Sequence, residues 1–233
     1  MSDSLSPATI QELSRLDACA VSNAIETLGV RLRNEGFTDR RVQCVFDDLP
    51  PIVGYAVTAR IRCSTPPAVG HSYADRTDLW NYILSVPAPR ILVVQDTDDR
   101  PGLGAFVGEV HAHILRALQC VAYVTNGAVR DLPEVRAAGL QAFAGGTTPS
   151  HAFVHIIDVG ESVEIAGLPV SCRDVLFGDR HGLVSIPKGR APEIPAIVAN
   201  LHARERRVIE YCRADGFSVD RLRTIVEQYD SPS

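Results

Sequence analysis

The sequence predicts an α/β fold built on a mixed sheet, and three features point to it. Two continuous apolar runs, residues 91–94 and 121–125, are too short for helices and have the character of strands covered on both faces. Between them Val110, Ile114 and Leu118 recur at helical spacing, so strand, helix and strand alternate as in a βαβ unit. From 153 to 186 short β-like segments follow one another, with turn signals at Gly160, Gly167 and between Gly178 and Gly182.

Each element has a local cause. Ser6 followed by Pro7 is a cap with proline at the first helical position, which starts a short helix with Ile10 and Leu13 on one face. Asp17 caps a second helix, with Val21, Ile25 and Leu28 inward and Gly29 as its stop. Val57, Ala59, Ile61 and Cys63 alternate with more polar neighbours, which predicts a half-buried strand, and residues 77–84 read as a helix. The run 91–94 leads through a Gly-containing loop, 96–104, into the helix that carries Val110. After the run 121–125, Asn126 and Gly127 predict a turn. A short helix at 133–138 and a strand at 140–143 complete two βαβ units. A long helix around 192–213 and a shorter one around 218–228 end the chain. With no repeat or linker, residues 1–233 read as a single domain with its core at about 15–210.

Composition narrows the function classes. The 233 residues are 45% hydrophobic and 22% charged, ordinary for a protein with a sizeable core, and the net charge is −5. The one basic run, 203–207, contains Glu205 and falls on a helical pattern, so it reads as a solvated helix face and not as a nucleic-acid surface. Six scattered cysteines without a CxxC pair, together with no signal-peptide pattern, suggest reduced thiols and a cytoplasmic protein. No apolar run is long enough to span a bilayer.

In open α/β sheets ligands gather at the carboxyl ends of parallel strands. Two loops leave the predicted strands there: one runs to Gly108 and Glu109, the other to Arg130 and Asp131. Arg130 offers a planar fork for a carboxylate, Asp131 a hard oxygen ligand for Mg²⁺ or Mn²⁺, and Glu109 a second carboxylate at a helix start. An Arg-Asp dipeptide is also a common surface pair, and the residues alone leave both readings open.

Glu109, twenty intervening residues and Arg130-Asp131 together resemble the acid–x20–Arg-Asp signature of the RraA-like family, which includes the 4-hydroxy-4-methyl-2-oxoglutarate/4-carboxy-4-hydroxy-2-oxoadipate aldolases. The blocks 126–131 and 178–187 and the terminal helix bearing Glu205 are similar to family blocks in the same order. The resemblance implies an α/β/β fold like the swivelling phosphohistidine domain, assembled as trimers or hexamers with active sites between subunits. It implies a metal-dependent lyase that cleaves small 2-oxo acids through a pyruvate enolate, with oxaloacetate decarboxylation as a second activity. Asp131 would bind the metal and Glu109 a water on it. Arg130 would bind the 2-oxo acid, and backbone N–H groups around Gly108 and Val110 would cradle its carboxylate. Glu205 of a neighbouring subunit would stand behind them. The family also contains a ribonuclease regulator that acts by protein contact, so a non-catalytic binding role is the alternative. The chain differs from the aldolases in having Glu109 and His181 in place of aspartates and Asn126 where aspartate is common. The segment near 147–153, lysine-bearing in the aldolases, contains His151 here.

The remaining polar residues have plainer readings. Asn126 suits a turn and can also contact substrate. His151 and His181 can serve as acid/base groups at neutral pH or as residues near a subunit contact. His111 and His113, two apart on a helix, cannot chelate one metal. His155 flanks a strand start, and Ser22 and Ser150 lie in no nucleophile-elbow context. Asp96, Asp98 and Asp99 open like a calcium loop, but its twelfth position is Val107, so a solvated turn is expected. Trp80 and Tyr82 read as core or interface, and His71 and Ser72 as loop residues near the pocket.

Overall fold

The structure, a computed structural model, describes residues 4–68 and 75–230, so His71 and Ser72 lie outside the described residues. The first helices form as their caps require. Ser6 accepts the Thr9 N–H at the start of α1 (Pro7–Leu13), and Asp17 accepts that of Ala20 at the start of α2 (Ala18–Leu28). Gly29 ends α2 at φ 61°, a left-handed conformation that glycine adopts without a Cβ clash. After the two-residue β1 (Gln43–Cys44) come β2 (Ile52–Arg62), α3 (Arg76–Leu84), β3 (Arg90–Asp96), β4 (Ala105–Val107), α4 (Glu109–Ala117), β5 (Cys120–Val129), α5 (Leu132–Ala137) and β6 (Gln141–Thr147). The short strands are β7 (His155–Val159), β8 (Val163–Ile165), β9 (Leu168–Val170), β10 (Val175–Asp179) and β11 (Gly182–Ile186), followed by α6 (Ile194–Arg213) and α7 (Val219–Asp230).

The main sheet runs β1-β6-β5-β3-β2-β10-β11, with β6, β5, β3 and β2 mutually parallel. Three helical crossovers make this parallel core, one more than the two predicted units. One face packs under α3, α4 and α5 through Leu79, Ile83, Leu115 and Val135. The other lies under the β8–β9 hairpin through Val163, Ile165 and Leu168. A third cluster joins α2 and α6 to β10 and β11. Each fully buried Leu or Ile in these layers contributes roughly 1.5–3 kcal/mol. Arg90 is buried where α3 and α4 end; its guanidinium donates to the carbonyls of Val86 (2.7 Å) and Leu118 (2.8 Å), so the cation sits at the negative ends of two helices.

Three expectations are corrected. The β2 strand is buried on both faces, because the β8–β9 hairpin covers the side that alternation assigned to solvent. Asn126 and Gly127 do not turn the chain: β5 continues to Val129 with a register shift between Thr125 and Ala128. The Asn126 amide brackets β3, accepting the Asp96 N–H (2.7 Å) and donating to the Asp96 carbonyl (2.9 Å). The turn expected between Gly178 and Gly182 forms at Arg180 and His181, with Gly178 itself inside β10, where a Cβ would come within 2.8 Å of Leu183 and Phe143. The inner face of α4 is His111, Ala112 and Leu115, while Val110 is 74% exposed and Ile114 and Leu118 are half-buried. His111 turns inward because its Nδ1 bonds the Phe106 carbonyl (2.7 Å) and its ring stacks on Phe106.

Candidate functional site

The site is built by a change of partner along β5. Its first half pairs with β3 as far as Val94↔Thr125; beyond that the short β4 takes over, pairing Ala105↔Ala128 and Val107↔Val129. Gly108-Glu109 and Arg130-Asp131 therefore leave adjacent parallel strands side by side, and the Arg130 N–H donates to the Val107 carbonyl (3.2 Å). This is the carboxyl end of the sheet, where the sequence places its chemistry.

Asp131 carries the geometry. Its backbone is left-handed (φ 52°, ψ 49°), uncommon for a residue other than glycine but tolerated by aspartate. That conformation turns the carboxylate onto the start of α4, where Oδ2 accepts the Glu109 N–H (3.1 Å). Gly108, the residue before the helix, has no side chain to cap it, so the Asp131 carboxylate fills that role at the positive end of α4. A Cβ on Gly108 would lie 2.4 Å from Asp131 Oδ2 and 3.0 Å from Arg130 Cγ, so glycine is required here by close approach. Arg130 Nε approaches both Asp131 oxygens at 3.2 and 3.3 Å, and Nη1 donates to the Pro149 carbonyl (3.3 Å). The Glu109 N–H, with the Arg130 guanidinium and His151 adding to it, holds the Asp131 carboxyl below its ordinary range. His151 comes in from the 149–153 segment, its Nδ1 donating to the Ala105 carbonyl (2.8 Å).

One chain thus brings together Gly108, Glu109, Val110, Arg130, Asp131 and His151 on an open face, flanked by the exposed apolar side chains of Val110 and Phe153. Three expected residues lie elsewhere in the same chain. The Asn126 side chain is engaged with the Asp96 backbone. His181 lines a separate cavity with Thr38, Arg40, Cys44 and Arg180. Glu205, on α6, lines a small cavity beside α2 with Asp17, Asn23 and His202. Of the other histidines, His113 is exposed and the His155 ring nitrogen bonds the Phe153 carbonyl (2.8 Å).

Two features escaped the sequence reading. The first is the burial of His111, which desolvation pushes below the usual histidine range and whose Nε2 has no hydrogen-bond partner among the described residues. The second is the cluster Cys63, Asp96 and Asp98, whose potential ligand atoms lie within 4.8 Å of one another. The expected solvated turn is instead a buried brace. Asp96 accepts the N–H groups of Asp98 (3.1 Å) and Gly102 (2.8 Å), while Asp98 accepts those of Cys63 (2.7 Å) and Ser64 (2.8 Å) and the Ser64 hydroxyl (2.6 Å). Burial, with the two aspartates nearby, pushes the Cys63 thiol up to about 12. Burial also raises Asp96; for Asp98 burial acts in the same sense but is outweighed by its hydrogen bonds and Arg62, which hold it low. The donor set fits the β3–β4 loop it ties down better than a cation. Asp131 and Glu109, by contrast, are two carboxylates at an open strand end, a hard-oxygen set suited to Mg²⁺ or Mn²⁺.

Comparisons with known proteins give the family and the fold. The family described as RraA-like, Aldolase/RraA, matches residues 18–185. A putative 4-hydroxy-4-methyl-2-oxoglutarate aldolase from Halalkalibacterium halodurans is 25% identical over 134 residues, 55% of this chain and 60% of that one. The matched stretches cover between 23% and 60% of the curated relatives' own lengths. Among solved structures, an uncharacterized protein from Pseudomonas syringae superposes with TM-score 0.71 at 21% identity, over 94% of each chain. Streptomyces coelicolor RraAS2, described as an unusual member of the RNase ES inhibitor RraA protein family, gives 0.67 at 21% identity over 87% of this chain and 96% of that one. No helix among the described residues is long and apolar enough to cross a membrane. With a family match over most of its length and a fold shared with RraA proteins, the chain belongs to the RraA-like family.

Proposed function

We propose that this protein is a divalent-metal-dependent carbon–carbon lyase acting on small 2-oxo acids, by retro-aldol cleavage of 4-hydroxy-2-oxo acids, decarboxylation of oxaloacetate, or both. The observation that carries the reading is the left-handed Asp131, whose carboxylate is pinned to the start of α4 beside Arg130 and Glu109. Asp131 and Glu109 are the residues that would hold Mg²⁺ or Mn²⁺. Bound there, a divalent cation supplies Lewis-acid polarisation of the 2-oxo group.

The chain's own groups do the rest. Arg130 Nη2 makes no hydrogen bond among the described residues, so that nitrogen is left for the 2-oxo acid. Negative charge that develops on the 2-oxo oxygen as the carbon–carbon bond breaks is stabilised by that guanidinium. The Val110 N–H, in the first turn of α4, meets the substrate carboxylate. Glu109, exposed at the same helix start, takes up the 4-hydroxyl proton through one water, and His151 lies near enough to bind the distal end of the substrate. The open face beside Val110 and Phe153 supports a homotrimer or hexamer in which a second copy covers the site and presents Glu205.

The test is pyruvate release from 4-hydroxy-4-methyl-2-oxoglutarate and from oxaloacetate, with Mg²⁺ or Mn²⁺ and with EDTA. Turnover of at least one substrate, lost in EDTA and restored by the metal, is the expected result. Silence on both would favour the alternative of a regulator acting by protein contact.

A further inference from the structure

The cavity that holds His181 is lined by two turns of the same design. In the first, Asp39 accepts the N–H of Arg41, two residues on (2.9 Å), and grips the Arg41 guanidinium at 2.6–2.9 Å. In the second, Asp179 Oδ1 accepts the N–H of His181, again two residues on (2.8 Å), and meets its Nδ1 at 3.1 Å; Asp179 Oδ2 accepts the Ala18 N–H (2.9 Å). Each aspartate is occupied by its own turn and by the cation or imidazole at the turn's end. The residue between them, Arg40 in one turn and Arg180 in the other, is thereby presented outward without an acid of its own.

The two turns are fixed against each other. The Thr38 N–H donates to the Leu183 carbonyl (3.0 Å), the Leu183 N–H donates to Thr38 Oγ1 (3.1 Å), and Phe37 bridges Val184. The cavity between them has a volume of about 630 Å³, within the usual range for small-molecule sites. Arg40 and Arg180 both line it, and neither makes a hydrogen bond or ion pair among the described residues. Asp47 lines it as well and makes no ion pair among the described residues. Fixed turns that carry two unpaired guanidinium forks beside one cavity are an arrangement suited to an oxyanion, since the backbone at both positions is already ordered.

We propose that this cavity, framed by Arg40, Arg180 and His181, is a second ligand site for a small oxyanion, a carboxylate or a phosphate, separate from the lyase site. None of Glu109, Arg130, Asp131 or His151 lines it. Arg40 and Arg180 bind the anion, and His181, its Nδ1 held by Asp179, offers Nε2 as a third contact.

Calorimetric titration with inorganic phosphate and, in a second arm, with succinate at constant ionic strength tests this. The wild type, an Arg40→Gln/Arg180→Gln double variant and Arg130→Ala are compared. Saturable binding of at least one probe is expected, weakened at least tenfold in the double variant and unchanged in Arg130→Ala; the arm that binds identifies the oxyanion. A far-UV spectrum of the double variant confirms its fold, and the corresponding single variants serve if it is altered. No saturable binding of either probe, binding retained when both arginines are replaced, or loss in Arg130→Ala would overturn the proposal.

Discussion

Replacing Arg130 by lysine lowers kcat/KM for pyruvate release by about 10²–10³-fold while the thermal midpoint moves little, if the guanidinium binds the 2-oxo acid and stabilises its developing charge. Lysine keeps the positive charge but loses the fork. Nε lies on the Asp131 carboxylate at 3.2–3.3 Å and Nη1 on the Pro149 carbonyl at 3.3 Å, and Nη2 remains for substrate. An ammonium cannot hold Asp131 and a substrate oxygen in one plane. Steady-state kinetics decide the matter, and a variant with wild-type kcat/KM would remove Arg130 from the reaction.

The second large effect comes from adding one methyl group. Gly108→Ala places a Cβ 2.4 Å from Asp131 Oδ2, a separation that forces the carboxylate to move. The backbone at Gly108 is extended (φ −137°, ψ −160°), so alanine carries no conformational penalty and the effect falls on the Asp131 carboxylate and the Arg130 side chain beside it. A misplacement on the order of 1 Å at a catalytic group costs about 10²-fold in rate. The expected result is that loss in kcat, with an unchanged circular dichroism spectrum. Full activity would mean that the position of Asp131 does not matter to the chemistry.

Much of this was legible in the residues, for identifiable reasons. Caps act over three or four residues, so Ser6-Pro7, Asp17 and Gly29 mark helix ends that the structure reproduces. The apolar runs at 91–94 and 121–125 became β3 and β5 because a strand buried on both faces has no polar side to show. The parts that were not legible depend on contacts between distant segments. Asn126-Gly127 has the composition of a turn, yet a side-chain bracket to Asp96, thirty residues earlier, keeps the strand straight. The burial of His111 was not legible either, because it depends on a carbonyl five residues earlier and the Phe106 ring, which draw it in. The three-residue β4, too short to carry a periodic pattern, is what sets Glu109 beside Asp131.

The same limit applies to the site. Spacing in the sequence suggested that Glu109 and Arg130-Asp131 belong together, and the bond from the Glu109 N–H to Asp131 shows the two strand ends meeting. Spacing could not show that His151 joins them or that His181 and Glu205 lie in other cavities of the same chain. Nor could it show the paired turns at Asp39 and Asp179, whose likeness lies in which backbone N–H each carboxylate accepts.

The most direct test of the central claim is pyruvate release by Asp131→Ala beside the wild type, on both 2-oxo acids and at saturating Mg²⁺ or Mn²⁺. Removing this carboxylate takes away the acceptor at the start of α4, the partner of Arg130 and one of the two oxygen donors at the strand end. The account predicts metal-dependent turnover by the wild type and none above background in the variant, with its fold intact by circular dichroism. Turnover that survives in Asp131→Ala would contradict it and place the chemistry elsewhere in the molecule.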